Sequence, residues 1–343
     1  MRPAVVFPLV LLAACSSRAP EAVFIEDFVE RSPALVCEAA DLASAPASVS
    51  RLEAVNDSLL VAIATGDRDI LLVRDDLLPL ARIHWEKEGP VSLSDPSDVA
   101  LVGDTLLVVA DREGARLKLF DLRGGDRGSL PLGFPPHRLV RFGDGYLVSA
   151  IALLPTQSEL LYRVSERAIH GLGVAPLHMA DWQLKAMANA TVLAPVGGGR
   201  VILAHQFIEP VADLLDIPRT GDAPDAVRRV GIPLSDGVRE AVGYLPERPF
   251  TDESITKILT PVLEAASDTA AGEVLYLTRT GRRIGEHWEK ALVRVDRDMG
   301  YLDSFLVPLS VGPFAYLPRR REIVAVADDE RWYRCPLPPR SGA

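Results

Sequence analysis

The chain has 343 residues, 48% of them hydrophobic, which is enough apolar material for a sizeable core, and a formal net charge of −10. An acidic chain of this kind lacks the basic footprint of a nucleic-acid binder, and no segment beyond residue 14 approaches the roughly 18–20 unbroken apolar residues of a membrane-spanning helix. The length suits two average domains or one large all-β domain.

The N-terminus reads Met1-Arg2, an apolar run from Pro3 to Ala14, then Cys15. One basic residue, an apolar stretch and small residues before a cleavage point are the parts of a secretory signal; the other reading is an apolar N-terminal strand. Leu12-Ala13-Ala14-Cys15 resembles the lipobox of bacterial lipoproteins. The resemblance implies that residues 1–14 are removed, that the Cys15 thiol receives a diacylglycerol, and that the new amino group is acylated. Two or more acyl chains anchor a protein stably, because each buried CH₂ contributes about 0.8 kcal/mol. Loss of Arg2 takes the mature chain from −10 to −11. Ser16 stands where an Asp often retains proteobacterial lipoproteins in the inner membrane, which implies the periplasmic side of the outer membrane.

Residues 15–33 read as a lipidated tether, beginning with Ser16-Ser17-Arg18-Ala19-Pro20. Within it, Val23, Phe24, Ile25, Phe28 and Val29 form an apolar-faced helical turn or pack on the domain edge. With Cys15 lipidated, Cys37 and Cys335 remain. In an oxidising compartment an even pair reads as one disulfide; the other reading is two buried thiols.

Beyond residue 33 the pattern is short runs of Val, Leu and Ile, alternating or continuous, punctuated by Gly, Asp, Asn and Pro, which is strand patterning. One unit recurs. Its clearest copy is Pro96–Val102, Gly103-Asp104, Thr105–Asp111, Arg116–Asp121, Gly124-Gly125 and Gly128–Leu132. The Gly-Asp and Gly-Gly pairs supply the positive φ of tight hairpins. Four such strands cannot bury both faces alone, and units of this kind stack around an axis as propeller blades. A second copy is Val49–Val55, Ser58–Ala64, Ile70–Arg74 and Pro79–Ile83. A third is Arg138–Phe142, Tyr146–Ala152, Glu159–Val164 and Ile169–Val174. Thr191–Pro195 and Arg200–Phe207 begin a fourth, which ends near Val227–Leu234. Lys257–Leu263, Glu273–Thr278, Ala291–Asp296 and Ser304–Pro308 make a fifth. Pro313–Leu317, Arg321–Ala327 and Trp332–Cys335 are three strands of a sixth. Ala34-Leu35-Val36-Cys37 is the candidate for its missing strand, removing two exposed edges and setting Cys37 beside Cys335. A bridge there closes a loop of about 299 residues, worth roughly 5 kcal/mol on the chain-entropy model. The expected fold is all-β: a six-bladed β-propeller over residues 34–343, closed by an N-terminal strand that joins the last blade.

The copy from Pro96 to Gly125 resembles an NHL-type repeat: a Pro-led strand, then Gly103-Asp104-x-Leu106-x-Val108-x-x-Asp111, then a strand ending Phe120-Asp121-x-x-Gly124. The whole chain resembles the six-bladed propeller lipoproteins of several bacterial phyla. The resemblance implies a binding platform, and a few related six-bladed propellers are enzymes.

In a propeller the loops joining the second strand to the third, and one blade to the next, share one face. Here that face carries the long insertions: Gln206–Ala226, Arg279–Lys290, His178–Ala188 and Asp236–Ser254. They hold His178, Asp181, Trp182, Gln206, Phe207, Tyr244, Arg248, Arg279, Arg282, Arg283, His287 and Trp288. Loops on a rigid scaffold carry function, and aromatic residues with Arg are the composition of binding hot spots. His178, Trp182, Gln206, Phe207, Arg279, Arg282, His287 and Trp288 are the expected binding face, for an envelope protein or a glycan.

The competing expectation is a metal-dependent hydrolase of the lactonase type. Metal-using six-bladed propeller hydrolases, such as gluconolactonases, hold one divalent ion on the axis with a Glu and Asn or Asp residues from inner strands of different blades. Asn is scarce: Asn56 sits in a hairpin turn, which leaves Asn189. His205 lies mid-strand and reads as a hydrogen-bonded core residue. No Cys-x-x-Cys, paired-histidine or Gly-x-Ser-x-Gly pattern occurs. Gly197-Gly198-Gly199 precedes a strand and reads as a hairpin turn, and Arg319-Arg320-Arg321 as a solvated turn. No catalytic set, cofactor or metal is expected.

Overall fold

The computed structural model describes residues 21–339, except 41, 43–45, 90–91, 104, 152–156, 167, 180, 219–223, 246–250, 252–253, 255–256 and 309. Cys15 and the expected signal, residues 1–14, therefore lie outside the described residues, as does Arg248.

The N-terminal segment supplies β1 (Val23–Ile25), α1 (Phe28–Arg31) and β2 (Glu38–Ala40). Six four-stranded antiparallel sheets follow. Blade 1 is β3–β6 (Val49–Asn56, Leu59–Ala64, Asp69–Arg74, Pro79–His84). Blade 2 is β7–β10 (Pro96–Val102, Leu106–Asp111, Arg116–Asp121, Asp126–Pro131). Blade 3 is β11–β14 (Pro136–Phe142, Gly145–Ala150, Leu161–Val164, Ile169–Gly171), and α2 (Trp182–Ala188) leads on from it. Blade 4 is β15–β18 (Thr191–Pro195, Arg200–His205, Val211–Asp216, Ala226–Gly231), followed by β19 (Pro233–Ser235) and a 3-10 turn over Asp236–Ala241. Blade 5 is β20–β23 (Glu264–Asp268, Glu273–Ile284, His287–Asp296, Tyr301–Val307). Blade 6 is β24–β26 (Val311–Leu317, Glu322–Ala327, Trp332–Pro336) completed by β2. Each inner strand touches the next, and β24 touches β3, so the ring closes.

The continuous apolar runs follow from this stacking. A middle strand is covered on both faces, so alternation disappears. In β4, Leu59, Val61 and Ile63 face blade 2, whereas Leu60 and Ala62 face blade 6. The other blade junctions hold apolar clusters of the same kind. Outer strands revert to polar sequence, and β10 is exposed along nearly its whole length.

The closing strand is Glu38–Ala40, not Ala34–Cys37. It pairs antiparallel with β26, Glu38 opposite Arg334 and Ala40 opposite Trp332. The apolar stretch before it is used differently. Ala34 makes a parallel bridge to Leu306, Leu35 N–H donates to the Leu306 carbonyl at 2.8 Å, and the buried Leu35 side chain fills the junction of blades 5 and 6. The expected pairing of cysteines is present: Cys37 and Cys335 are disulfide-bonded, with Cα atoms 4.3 Å apart and a sequence separation of 298.

From residue 21 onward the expected tether is laid along the ring. β1 pairs in parallel with β19, and a Cβ at Gly231 would collide with the Glu21 carbonyl, so this close passage requires glycine there. Phe28 in the single turn of α1 is fully buried.

Three further expectations are corrected. Val211–Asp216 is a strand, so the loop after β16 is only residues 206–210, not Gln206–Ala226. The inner strand of blade 5 is Glu264–Asp268, not Lys257–Leu263. The Arg279–Lys290 stretch is no loop, because β21 and β22 continue as a projecting hairpin, pairing Arg279 with Lys290 and Ile284 with His287.

Because the disulfide ties the two ends of the ring, Cys335→Ser should lower unfolding free energy by roughly 2–5 kcal/mol in denaturant titrations under non-reducing conditions. An unchanged midpoint would show that the sheet pairing of β2 closes the ring unaided.

Candidate functional site

Two places are built for more than blade packing: the axis, and the face bearing the long connections.

The inner strands β3, β7 and β11 each carry a bulge near their start, between Val49 and Arg51, Pro96 and Asp98, and Pro136 and Arg138. A bulge re-aims the side chains that follow it. The result is a buried ring of charge made by Arg51, Asp98, Arg138 and Glu264. Arg51 Nε donates to Asp98 Oδ1 at 2.7 Å, and Arg51 Nη2 to Glu53 Oε2 at 2.7 Å. Arg51 Nη1 contacts Glu264 Oε1, and Arg138 Nη2 donates to Glu264 Oε2 at 3.4 Å. Backbone groups complete the set: Leu139 N–H donates to Asp98 Oδ2 at 2.8 Å and Ala265 N–H to Glu264 Oε1 at 3.0 Å.

Three carboxylates thus converge on one guanidinium. Burial, reinforced by Asp98 and Glu264 and opposed by Arg51, pushes Glu53 up to about 8. Its side chain is 31% accessible, so water moderates the shift. Protonation of Glu53 would leave two guanidiniums facing two carboxylates, so that the buried charge cancels.

Below this ring the channel opens as a funnel of about 420 Å³, lined by all six inner strands and including Glu53, Asp57, Arg141 and Tyr316. Above it, His137 and Gln206 close the axis. His137 Nε2 donates to Gln206 Oε1 at 2.9 Å, and Gln206 Nε2 donates to the Leu263 carbonyl at 2.9 Å. Burial first, then Arg138, holds the His137 imidazole well below its usual range, so the ring is neutral.

An axial divalent ion does not fit these residues. Its oxygen ligands would be those of Asp98 and Glu264, and every one of them already meets Arg51, Arg138 or a backbone N–H. Among the described residues no group of three His, Cys, Asp or Glu side chains is placed to hold a metal ion. Asn189 serves as a clamp: its amide accepts from Leu177 N at 2.6 Å and donates to the carbonyls of Leu177 and Lys185. His205 is a buried strand residue whose Nδ1 donates to the Ala188 carbonyl at 2.8 Å.

The loop face carries a cleft of about 380 Å³ between the Asp236–Ala241 turn, residues 257–260 and the β21–β22 hairpin. Val238, Ala241, Ile258 and Leu259 line its apolar side, with Tyr244, Arg279 and Trp288 among the larger side chains. The Trp288 ring has the Arg283 guanidinium 4.7 Å from its centroid and that of Arg279 at 5.8 Å, a cation–π arrangement that fixes the indole. Burial, and then the charge of Arg283, lowers the pKa of Arg279. Gly281 breaks the register of the hairpin with φ +86°, and its backbone lies against Gly237, which joins the hairpin to the turn.

Of the residues expected on this face, Arg279 and Trp288 meet in the cleft, together with Tyr244. Phe207 and Tyr244 each pack against the small cluster of Leu184, Ala188, Ile208 and Ile258. Trp182 projects at 61% exposure from the start of α2, whose N-terminus Asp181 caps by accepting from Gln183 N and Leu184 N. His178 is exposed. Arg282 is tied to Glu289, Nη2 to Oε1 at 2.7 Å, and His287 Nδ1 lies 3.7 Å from Asp328 Oδ2. Gln206 is withdrawn from the face into the axis. Arg319 and Arg320 staple blade 6 to blade 1 through Asp57 and Asp75, while Arg321 donates to the Pro338 carbonyl.

No family model and no curated protein matches the chain in sequence. Solved structures do match its fold. A member of the DUF4221 family from Bacteroides vulgatus is 10% identical, aligns 89% of this chain with 98% of its own, and gives a TM-score of 0.59. A luciferin-regenerating enzyme is 11% identical over 90% and 97%, with a TM-score of 0.56. A gluconolactonase from Xanthomonas campestris is 13% identical over 93% and 98%, with a TM-score of 0.55. The chain shares the six-bladed propeller with them.

The axial charges generate a test. Glu53 holds its proton more tightly in the folded chain than when unfolded, so its contribution is full below pH about 4.5 and is lost as pH rises toward about 8. Glu53→Gln should flatten the fall in urea midpoint across that window. Arg51→Met, which leaves carboxylates buried without their partner, should cost about 3–5 kcal/mol at neutral pH.

Proposed function

We propose that the chain is a lipid-anchored binding or scaffold protein of the cell envelope, which engages an envelope protein or glycan through its loop face. The observation that carries this reading is the cleft in which Trp288, Tyr244 and Arg279 meet over an apolar wall. Aromatic and Arg side chains in a partly desolvated depression are the anchors of binding interfaces, and aromatic faces also stack on sugars. The NHL-like repeat from Pro96 to Gly125 supports a platform role. The Leu12-Ala13-Ala14-Cys15 lipobox supports export and lipidation at Cys15, and the Cys37–Cys335 bridge fits an oxidising compartment. Ser16 after the cysteine supports the periplasmic side of the outer membrane. The lactonase-type alternative is disfavoured by Arg51, whose guanidinium takes the carboxylates an axial ion would use.

Metabolic labelling with a palmitate analogue should mark the wild-type chain and leave Cys15→Ser unlabelled and released from membranes. A partner crosslinked in native membranes should bind the Arg279→Ala/Trp288→Ala variant at least about 30-fold more weakly, the equivalent of roughly 2 kcal/mol, and bind Arg127→Ala as wild type. Equal binding by both variants would remove the cleft from the account.

A further inference from the structure

Three bulky apolar side chains project from the loop face: Trp182 is 61% exposed, Leu245 49% and Ile284 59%. They come from three separate connections. Trp182 opens α2 between blades 3 and 4, Leu245 follows the Asp236–Ala241 turn between blades 4 and 5, and Ile284 sits at the tip of the β21–β22 hairpin. Two of these connections frame the cleft. The same hairpin carries Arg279, Arg282 and Arg283, with Glu286 and Glu289 as its acidic residues. Trp, apolar tips and Arg on one surface are the residue types that sit where one side is apolar and the other is wet.

The N-terminal segment arrives at this place. β1 pairs with β19, and β19 runs directly into the turn that forms one wall of the cleft. The Arg239 guanidinium of that turn lies 4.2 Å from the centre of the Phe24 ring. Glu21, the first described residue, passes against Gly231 at the end of β18 from which β19 departs. From Cys15 to Glu21 there are six Cα-to-Cα steps, which reach at most roughly 20 Å when fully extended. A lipid on Cys15 therefore holds this rim of the ring within about that distance of the bilayer, and a tethered surface needs little intrinsic affinity to stay engaged.

We propose that the loop face rests on the lipid surface that holds the anchor, with Trp182, Leu245 and Ile284 set into the boundary between headgroups and acyl chains. The proposal rests on the reading of Cys15 as lipidated. The contact is apolar rather than electrostatic, because the mature chain carries a net −11 and an anionic surface would repel it. It follows that whatever enters the Trp288 cleft is met at the membrane surface.

The test uses the lipidated full-length chain reconstituted in phosphatidylcholine vesicles that contain a lipid spin-labelled near the headgroup, with tryptophan emission as the readout. Trp85 and Trp332 are shielded, at 4% and 1% exposure. Quenching of up to about half of the emission is expected, Trp182 and Trp288 on this face being two of four tryptophans. The Trp182 share should be lost in Trp182→Phe, leaving only that of Trp288 in the cleft, and the quenching should weaken in Leu245→Ser/Ile284→Ser, with both variants still floating with the vesicles. Equal quenching in wild type and Trp182→Phe, or no quenching in a wild-type chain that floats, would overturn the proposal and point to a protein or glycan as the occupant of these tips. A chain whose N-terminal peptide carries no lipid mass and that fails to float would overturn the anchor reading, and the docking proposal with it.

Discussion

Buried charge must cancel, and in this ring the cancellation takes place at one point. Arg51, Asp98, Arg138 and Glu264 come from four different blades, and each would be costly without the others. Their contact requires that bulges set the starts of β3, β7 and β11 and that the blades keep their places around the axis. Glu53, able to hold a proton near neutrality, corrects the one surplus carboxylate. The axis is thus a polar lock rather than a conduit, and His137 with Gln206 closes it above.

The second constraint is closure. Five blades are continuous in sequence, and the sixth borrows Glu38–Ala40 from the N-terminus. The segment before that strand is used three times over. It pairs with β19, fills the junction of blades 5 and 6 with Leu35, and delivers Cys37 to Cys335. This strap couples the end of the chain that carries the proposed anchor to the wall of the cleft. On the proposed anchoring, position relative to a membrane and the shape of the loop face would be set by the same residues.

Strand patterning carried the architecture, because successive copies repeat a hairpin grammar in which tight turns, with Gly-Asp or Gly-Gly pairs in blades 1 to 4, end apolar runs. The misplaced elements share a physical cause. In Val211–Asp216 the acidic Asp213 interrupts an apolar strand, and only the fold reveals that Arg229 grips it at 2.8 Å. Glu264 reads as the end of a strand until Arg51 and Arg138, distant in sequence, are placed beside it. A signal for the axial ring was present: Ser50-Arg51, Ser97-Asp98 and His137-Arg138 stand at equivalent positions of successive copies. Alignment of the repeats by their turns would have exposed it. Of the loop-face residues, Arg279 and Trp288 meet because the hairpin of blade 5 is longer than its apolar core, whereas Gln206 is drawn inward by His137. Sequence supplies the residue types on a face, but not which of them the long hairpin and the 3-10 turn bring together.

The propeller fold hosts both platforms and enzymes, so the site must decide between them. Here the axial carboxylates are committed to guanidinium, and the concave, aromatic-lined surface lies on the opposite side of the His137–Gln206 closure from the funnel. Calorimetric titration of the purified protein with Ca²⁺, Mn²⁺ and Zn²⁺ tests this division most directly. The wild-type chain should show no stoichiometric site. One ion per chain, bound with micromolar affinity and lost in Asp98→Asn or Glu264→Gln, would contradict this division and place the chemistry on the axis.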